Sequence, residues 1–254
     1  MNPDSVVFHI PHASTFIPPE YLGDFYENVL TKNLRHMTDW YTDELFDFGF
    51  GERIVFPVSR LVCDPERFRE DDREEMSKIG MGAVYTRGYD LRFIRSVTPG
   101  RREEILRRYY DPHHRRLEEA TACALERTGH CLIIDCHSFS AVPLPYEKDR
   151  IRPDFCVGTD PYHTPPPIAE AMADVLRGKG FSVEVNRPFA GTIVPLMYYG
   201  KDARVWSVMI EVNRGLYLRG EEKSAGFGIV REAVREAVEQ GALKHPRGKA
   251  GRKG

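Results

Sequence analysis

The segment HCLIIDCHS, residues 130–138, constrains this chain most. Four apolar residues run without a break into Asp135, Cys136, His137 and Ser138. A continuous apolar run of this length bounded by polar residues predicts a strand buried on both faces, and such strands belong to parallel sheets covered by helices. WSVMIEVN (206–213) repeats the pattern and carries Glu211 inside it. A lone carboxylate there costs several kcal/mol unless it is paired or works beside a cation.

The other predicted strands are SVVFHI (5–10), RIVFPVS (53–59), DFCVGT (154–159) and FSVEVN (181–186). Helical periodicity predicts helices over 30–48, 103–128, 168–179 and 220–240, with Asp111-Pro112 kinking the second or starting it afresh. Alternating strands and helices predict one three-layer α/β domain over 1–244, its central mixed, mostly parallel sheet flanked by helices. Residues 64–102 read as an irregular, charge-dense insertion, and 245–254 as a disordered basic tail.

Composition enters by exclusion. A net charge of −2 gives no basic field for nucleic acid or an anionic membrane. Apolar stretches fall short of a membrane span of about 20 residues, and the N-terminus has no secretory pattern. The cysteines Cys63, Cys123, Cys131, Cys136 and Cys156 are odd in number and form no CxxC pair, which fits reduced thiols and a cytoplasmic location. The oligomeric state is left open.

Sheets of this kind gather their sites beyond the carboxyl ends of the strands. Three predicted strand ends deliver ionisable groups: HIPHAST with His9 and His12, LIIDCHS with Asp135, His137 and Ser138, and MIEVNR with Glu211, Asn213 and Arg214. A catalytic zinc takes three nitrogen or oxygen ligands and leaves a position for water, and a nearby carboxylate that is not a ligand can accept that water's proton. Alternation along the strand turns Cys136 away from whatever His137 faces, which argues against a cysteine nucleophile.

Seven ordered blocks, HIPHASTFIPPEY, TDWYTDELF, VSRLVCDPERF, YYDPHHRRL, LIIDCHSF, NRPFAGTIVP and MIEVNRGLYL, resemble the N-formylglutamate amidohydrolase family over residues 6 to 220. The resemblance implies a zinc-carboxypeptidase-like, phosphorylase/hydrolase-like fold, a Zn²⁺ site, and hydrolysis of the N-acyl amide of a small amino acid such as N-formyl-L-glutamate. By the same resemblance His12 and His137 become the nitrogen ligands and Glu211 the general base. The third ligand is acidic: Asp39, with Asp43 one turn later on the same predicted helix as the alternate. The chain departs from the family's usual pattern at Ala13-Ser14 and in the segment Asp64-Pro65-Glu66-Arg67.

A substrate carboxylate suits the planar fork of arginine. Arg60 is assigned to the oxyanion or that carboxylate. Arg67, Arg87 and Asn213 are assigned to substrate binding, and Arg214 to a pairing with Asp135 or Glu211. Asp135 is expected to orient His137 from behind, and His113 and His114 to pack around the site. Two further readings stay open: a zinc peptidase or cell-wall amidase on the same fold, and a non-catalytic binding protein.

Overall fold

The computed structural model describes residues 2–243, so the expected tail at 245–254 lies outside the described residues. A six-stranded sheet forms the middle layer: β1 (Val6–Ile10), β2 (Glu52–Val55), β3 (Cys131–Phe139), β4 (Phe155–Thr159), β5 (Val183–Val185) and β6 (Val205–Asn213). Their order is β2-β1-β3-β6-β4-β5. The pairs β2/β1, β1/β3, β3/β6 and β4/β5 are parallel, and β4 runs antiparallel to β6. A mixed, mostly parallel sheet is what the apolar strand runs predict.

The helices are α1 (Pro19–Leu22), α2 (Leu30–Met37), α3 (Thr42–Leu45), α4 (Pro99–Ile105), α5 (Asp111–Thr128), α6 (Pro166–Gly178) and α7 (Gly226–Glu236). Period-two alternation sorts the strand residues between two cores. Val7, Ile54, Cys131 and Ile133 pack with Leu117, Ala120 and Ala124 of α5. Phe8, Ile10, Ile134, Cys136 and Ile210 pack on the other face with residues of α3, α6 and α7. Cys136 is therefore a core residue facing away from His137.

The insertion at 64–102 forms no strand but is well anchored. Leu61, Val62, Tyr85 and Ile94 share a third core with Tyr21 and Phe25. Arg95 is fully buried there and donates to the carbonyls of Tyr85 and Val62, 2.7 Å each. A five-residue wide helical turn, Leu106–Tyr110, joins α4 to α5, so the chain continues through Asp111-Pro112 without a break. The helix predicted from 220 begins only at Gly226, because residues 218–223 form a two-stranded hairpin.

The helix predicted over 30–48 is broken. α2 stops at Met37, Tyr41 takes a left-handed φ of 60°, and α3 restarts at Thr42. An unbroken helix would use the carbonyls of His36 and Thr38 for amides four residues on. Arg214 takes both instead: Nη2 donates to His36 O at 2.9 Å and Nη1 donates to Thr38 O. The Asp39 amide bonds His12 O at 3.0 Å, which pins the resulting turn to the loop after β1.

Close approach also fixes the strand next to the site. A Cβ on Gly158 of β4 would lie 2.3 Å from Gly191 O and 2.4 Å from Met209 Cε. Backbone cannot yield as a side-chain tip does, so Gly158→Ala is expected to destabilise the protein by about 1–3 kcal/mol. A urea midpoint unchanged from wild type would contradict this packing.

Candidate active site

Strand register assembles the site. His9 pairs with Asp135 across β1/β3, and His137 pairs with Glu211 across β3/β6. All four have the parity that points to one face, so the carboxyl ends of three adjacent parallel strands present a polar row. Loops supply the rest, and a cavity of about 350 Å³ opens over the row. His12, Asp39, Arg60, Glu66, Arg67, Asp135, His137, Glu211 and Arg214 are among its lining residues.

Asp39 Oδ2 lies 3.2 Å from His137 Nδ1 and 3.6 Å from His12 Nδ1, and the two imidazole centroids are 5.1 Å apart. The three side chains each offer a ligand atom, all within 4.8 Å of one another. Each imidazole is held from behind by its other nitrogen. His12 Nε2 meets Asp64 Oδ1 at 2.8 Å, and His137 Nε2 meets Asp135 Oδ1 at 3.1 Å. Carboxylates so placed hold a proton on Nε2, so that Nδ1 is the nitrogen that would ligate a bound cation. His12 Nδ1 is buried and has no hydrogen-bond partner. An orphaned lone pair facing a carboxylate and a second imidazole nitrogen suits a divalent cation, and two imidazoles with one carboxylate are a donor set for zinc. Asp39 sits in the turn before α3. Asp43, the alternate, lies within α3 and is absent from the cavity lining.

Electrostatics follow from burial and these pairings. Burial opposes charge on Asp39, yet the imidazoles of His12 and His137 facing it hold its carboxyl well below the usual range. Burial likewise opposes charge on His137, and Asp135 overcomes it, holding the imidazole well above its ordinary value. His9, wholly buried, is driven down by desolvation but lifted by Asp135 and Glu66 to about 9. Glu211 behaves differently. Desolvation pushes it up to about 8 against the pull of His137 and Arg60, and its Oε2 is buried without a partner.

The expected arginines divide. Arg60 donates to Asp64 Oδ2 at 2.8 Å, and Arg67 Nε stands 3.8 Å from the same oxygen. The Nε of each is buried without a hydrogen-bond partner. Arg87 is elsewhere: it donates to Leu91 O at 2.6 Å and stacks 3.8 Å over the Phe93 ring. Asn213 does not line the cavity, because Nδ2 donates to Pro153 O and Oδ1 accepts from Gly215 N, 3.0 Å each. Arg214 lines the cavity, but it donates to the two carbonyls at the end of α2 rather than to Asp135 or Glu211. His113 stands 2.9 Å from His9 Nε2, and His114 bonds Pro65 O at 2.9 Å, both packed behind the site.

Two residues escape the sequence reading. Asp64, wholly buried, ties His12, Arg60 and Tyr85 together, and Glu66 reaches into the cavity. The signal for Asp64 is the one that singles out Glu211, an acid directly after an apolar run, here LVC. No periodic signal marks Glu66.

Comparison with known proteins agrees with this architecture. The crystal structure of N-formylglutamate amidohydrolase from Ralstonia eutropha JMP134 is 24% identical, covers 92% of each chain and has a TM-score of 0.76. A gene product of Agrobacterium tumefaciens is 21% identical, covers 93% of this chain and 91% of its own, and has a TM-score of 0.66. Both share the fold. No curated protein sequence matches. A family model extends the likeness to chemistry and places the chain among hydrolases that act on amides. The protein belongs to the N-formylglutamate amidohydrolase family, whose model matches residues 4–218. Among the described residues no helix is long and apolar enough to cross a membrane.

Proposed function

We propose that the protein is a zinc-dependent amidohydrolase of the cytoplasm that removes the acyl group from a small N-acyl amino acid, with N-formyl-L-glutamate the first substrate to test. The observation that carries this reading is the meeting, in one cavity, of three buried donor groups with a carboxylate whose Oε2 has no partner. His12, Asp39 and His137 are the residues that would hold the ion. When bound, a divalent ion there supplies Lewis acidity for a carbonyl and lowers the pKa of a water.

The chain's own groups do the remaining work. Glu211 accepts a proton at Oε2 from the attacking water as that water's oxygen adds to the amide carbonyl. It returns the proton to the amide nitrogen as the C–N bond breaks, leaving a carboxylic acid and an amine. A cation in the adjoining donor set favours the ionised form of Glu211, which burial alone disfavours. Arg60 and Arg67 present buried, unpartnered N–H groups to the substrate's carboxylate or to the developing oxyanion. The cavity volume suits an amino-acid derivative.

The test is formate release from N-formyl-L-glutamate by purified protein, before and after chelation and after zinc add-back, alongside metal analysis. Activity lost on chelation and restored by zinc is the expected result. Turnover that is indifferent to thorough chelation would sink the metal-dependent reading. Bound zinc without formate release would move the substrate to another N-acyl amino acid.

A further inference from the structure

Behind His137 lies a second convergence of donor atoms that the proposed chemistry does not use. His9 Nδ1 stands 2.9 Å from Asp135 Oδ1 and 3.0 Å from Glu66 Oε1, and the three ligand atoms all fall within 4.8 Å of one another. We propose that His9 Nδ1, Asp135 Oδ1 and Glu66 Oε1 form a second divalent-cation site, distinct from the group of His12, Asp39 and His137. Its identification does not depend on the substrate, and only the expected total of bound ions rests on the first group also holding one.

Three features argue for an ion here. The spacing is the first. Donors about 2.1 Å from a common ion, at right or tetrahedral angles, stand about 3.0–3.4 Å apart. The second is Glu66 Oε1, which is buried without a hydrogen-bond partner although it lies 3.0 Å from His9 Nδ1. The contact is close but off the line of a hydrogen bond, as expected for two ligands sharing a third atom. The third is the orientation of the ligands from behind. His9 Nε2 is held by His113 Nε2 at 2.9 Å, and Asp135 Oδ2 accepts from the Ile193 amide at 3.0 Å. His113 Nε2 so placed can accept from His9 Nε2–H and leave the His9 Nδ1 lone pair for a ligand bond. This repeats the arrangement of His12 and His137, each with one nitrogen forward and the other held.

Both carboxylates also line the cavity, which gives an ion a route in. The two groups meet at His137, whose Nδ1 faces Asp39 and whose Nε2 faces Asp135. A cation on Asp135 therefore acts directly on the orientation of His137.

The occupant to be excluded is a proton on His9, paired with the two acids. The experiment is metal stoichiometry by mass spectrometry on folded protein saturated with zinc and then dialysed against metal-free buffer. Wild type, Glu66→Gln and Asp39→Asn are compared after circular dichroism confirms their fold. About two ions per wild-type chain are expected, with about one in each variant. A wild-type chain that saturates at one ion overturns the second site unless that ion is lost in Glu66→Gln and kept in Asp39→Asn. So does a Glu66→Gln protein that takes up as much as wild type. One ion lost in Asp39→Asn but kept in Glu66→Gln overturns the second site while leaving the proposed function standing. No ion in wild type removes both.

Discussion

Glu211→Gln is expected to lower kcat by about a hundred- to ten-thousand-fold while leaving bound zinc in place. The amide keeps the shape of the side chain but cannot take the water's proton. Glu211 is not among the grouped donors of His12, Asp39 and His137, so metal content should stay at the wild-type level. A variant that retains more than a tenth of wild-type turnover would remove Glu211 from the base position.

The same substitution carries a stability effect of opposite sign. In the ion-free protein the Glu211 carboxyl is lifted from 4.5 to about 8, mainly by burial. Between those values the folded state holds a proton that the unfolded chain releases. The stabilisation is therefore complete below pH 4.5 and lost as pH rises through about 8. The neutral amide of the variant cannot ionise and escapes that loss. At pH 9, with metal chelated, the variant should be more stable than wild type by on the order of a few kcal/mol. Equal denaturant midpoints at pH 9 would show that Glu211 is not desolvated as the cavity geometry requires. Loss of activity together with gain of stability separates a strained functional carboxylate from a structural one.

Why Glu211 was legible in sequence while other parts of the site were not comes down to the range of each signal. Glu211, His137 and Asp135 sit on strands whose apolar runs are unmistakable, and strand parity alone settles that Cys136 faces the core. Their meeting with His9 follows from register between adjacent parallel strands. The break at Asp39 has no local cause. Leu34, Met37, Tyr41 and Leu45 keep helical spacing through it, and the helix stops because Arg214, far along the chain, takes the carbonyls of His36 and Thr38. The insertion hides its contribution for a related reason. Its dense charges and glycines carry no periodicity to mark which residues are buried, whereas Asp64 and Arg95 are buried by contacts with distant segments. Arg87 illustrates the converse. Its place in the glycine-broken insertion suggests a substrate contact, but the guanidinium is already engaged by Phe93 and the Leu91 carbonyl.

Asp64→Asn should be among the most damaging single substitutions in the protein, for two separable reasons. Asp64 Oδ1 meets His12 Nε2 at 2.8 Å and accepts from the Glu66 amide at 2.9 Å. Its Oδ2 accepts from Arg60 at 2.8 Å and from the Tyr85 hydroxyl, with Arg67 at 3.8 Å. Burial disfavours this carboxylate, but Arg60 and His12 hold its pKa well below 3.8. The stability it contributes is thus present above pH 3.8 and lost only as pH falls through that lower folded value. Removing the charge at neutral pH leaves the partly buried Arg60 and Arg67 uncompensated, and a destabilisation of about 3 kcal/mol is expected from denaturant unfolding. It also removes the acceptor that fixes His12, which should weaken zinc binding about 10- to 100-fold. Adding Arg60→Met to Asp64→Asn separates the two effects. With one of the unmatched charges gone, much of the stability should return, while zinc affinity should stay low because His12 still lacks its carboxylate. Recovery of both together would mean that Asp64 acts on the site only by keeping the protein folded.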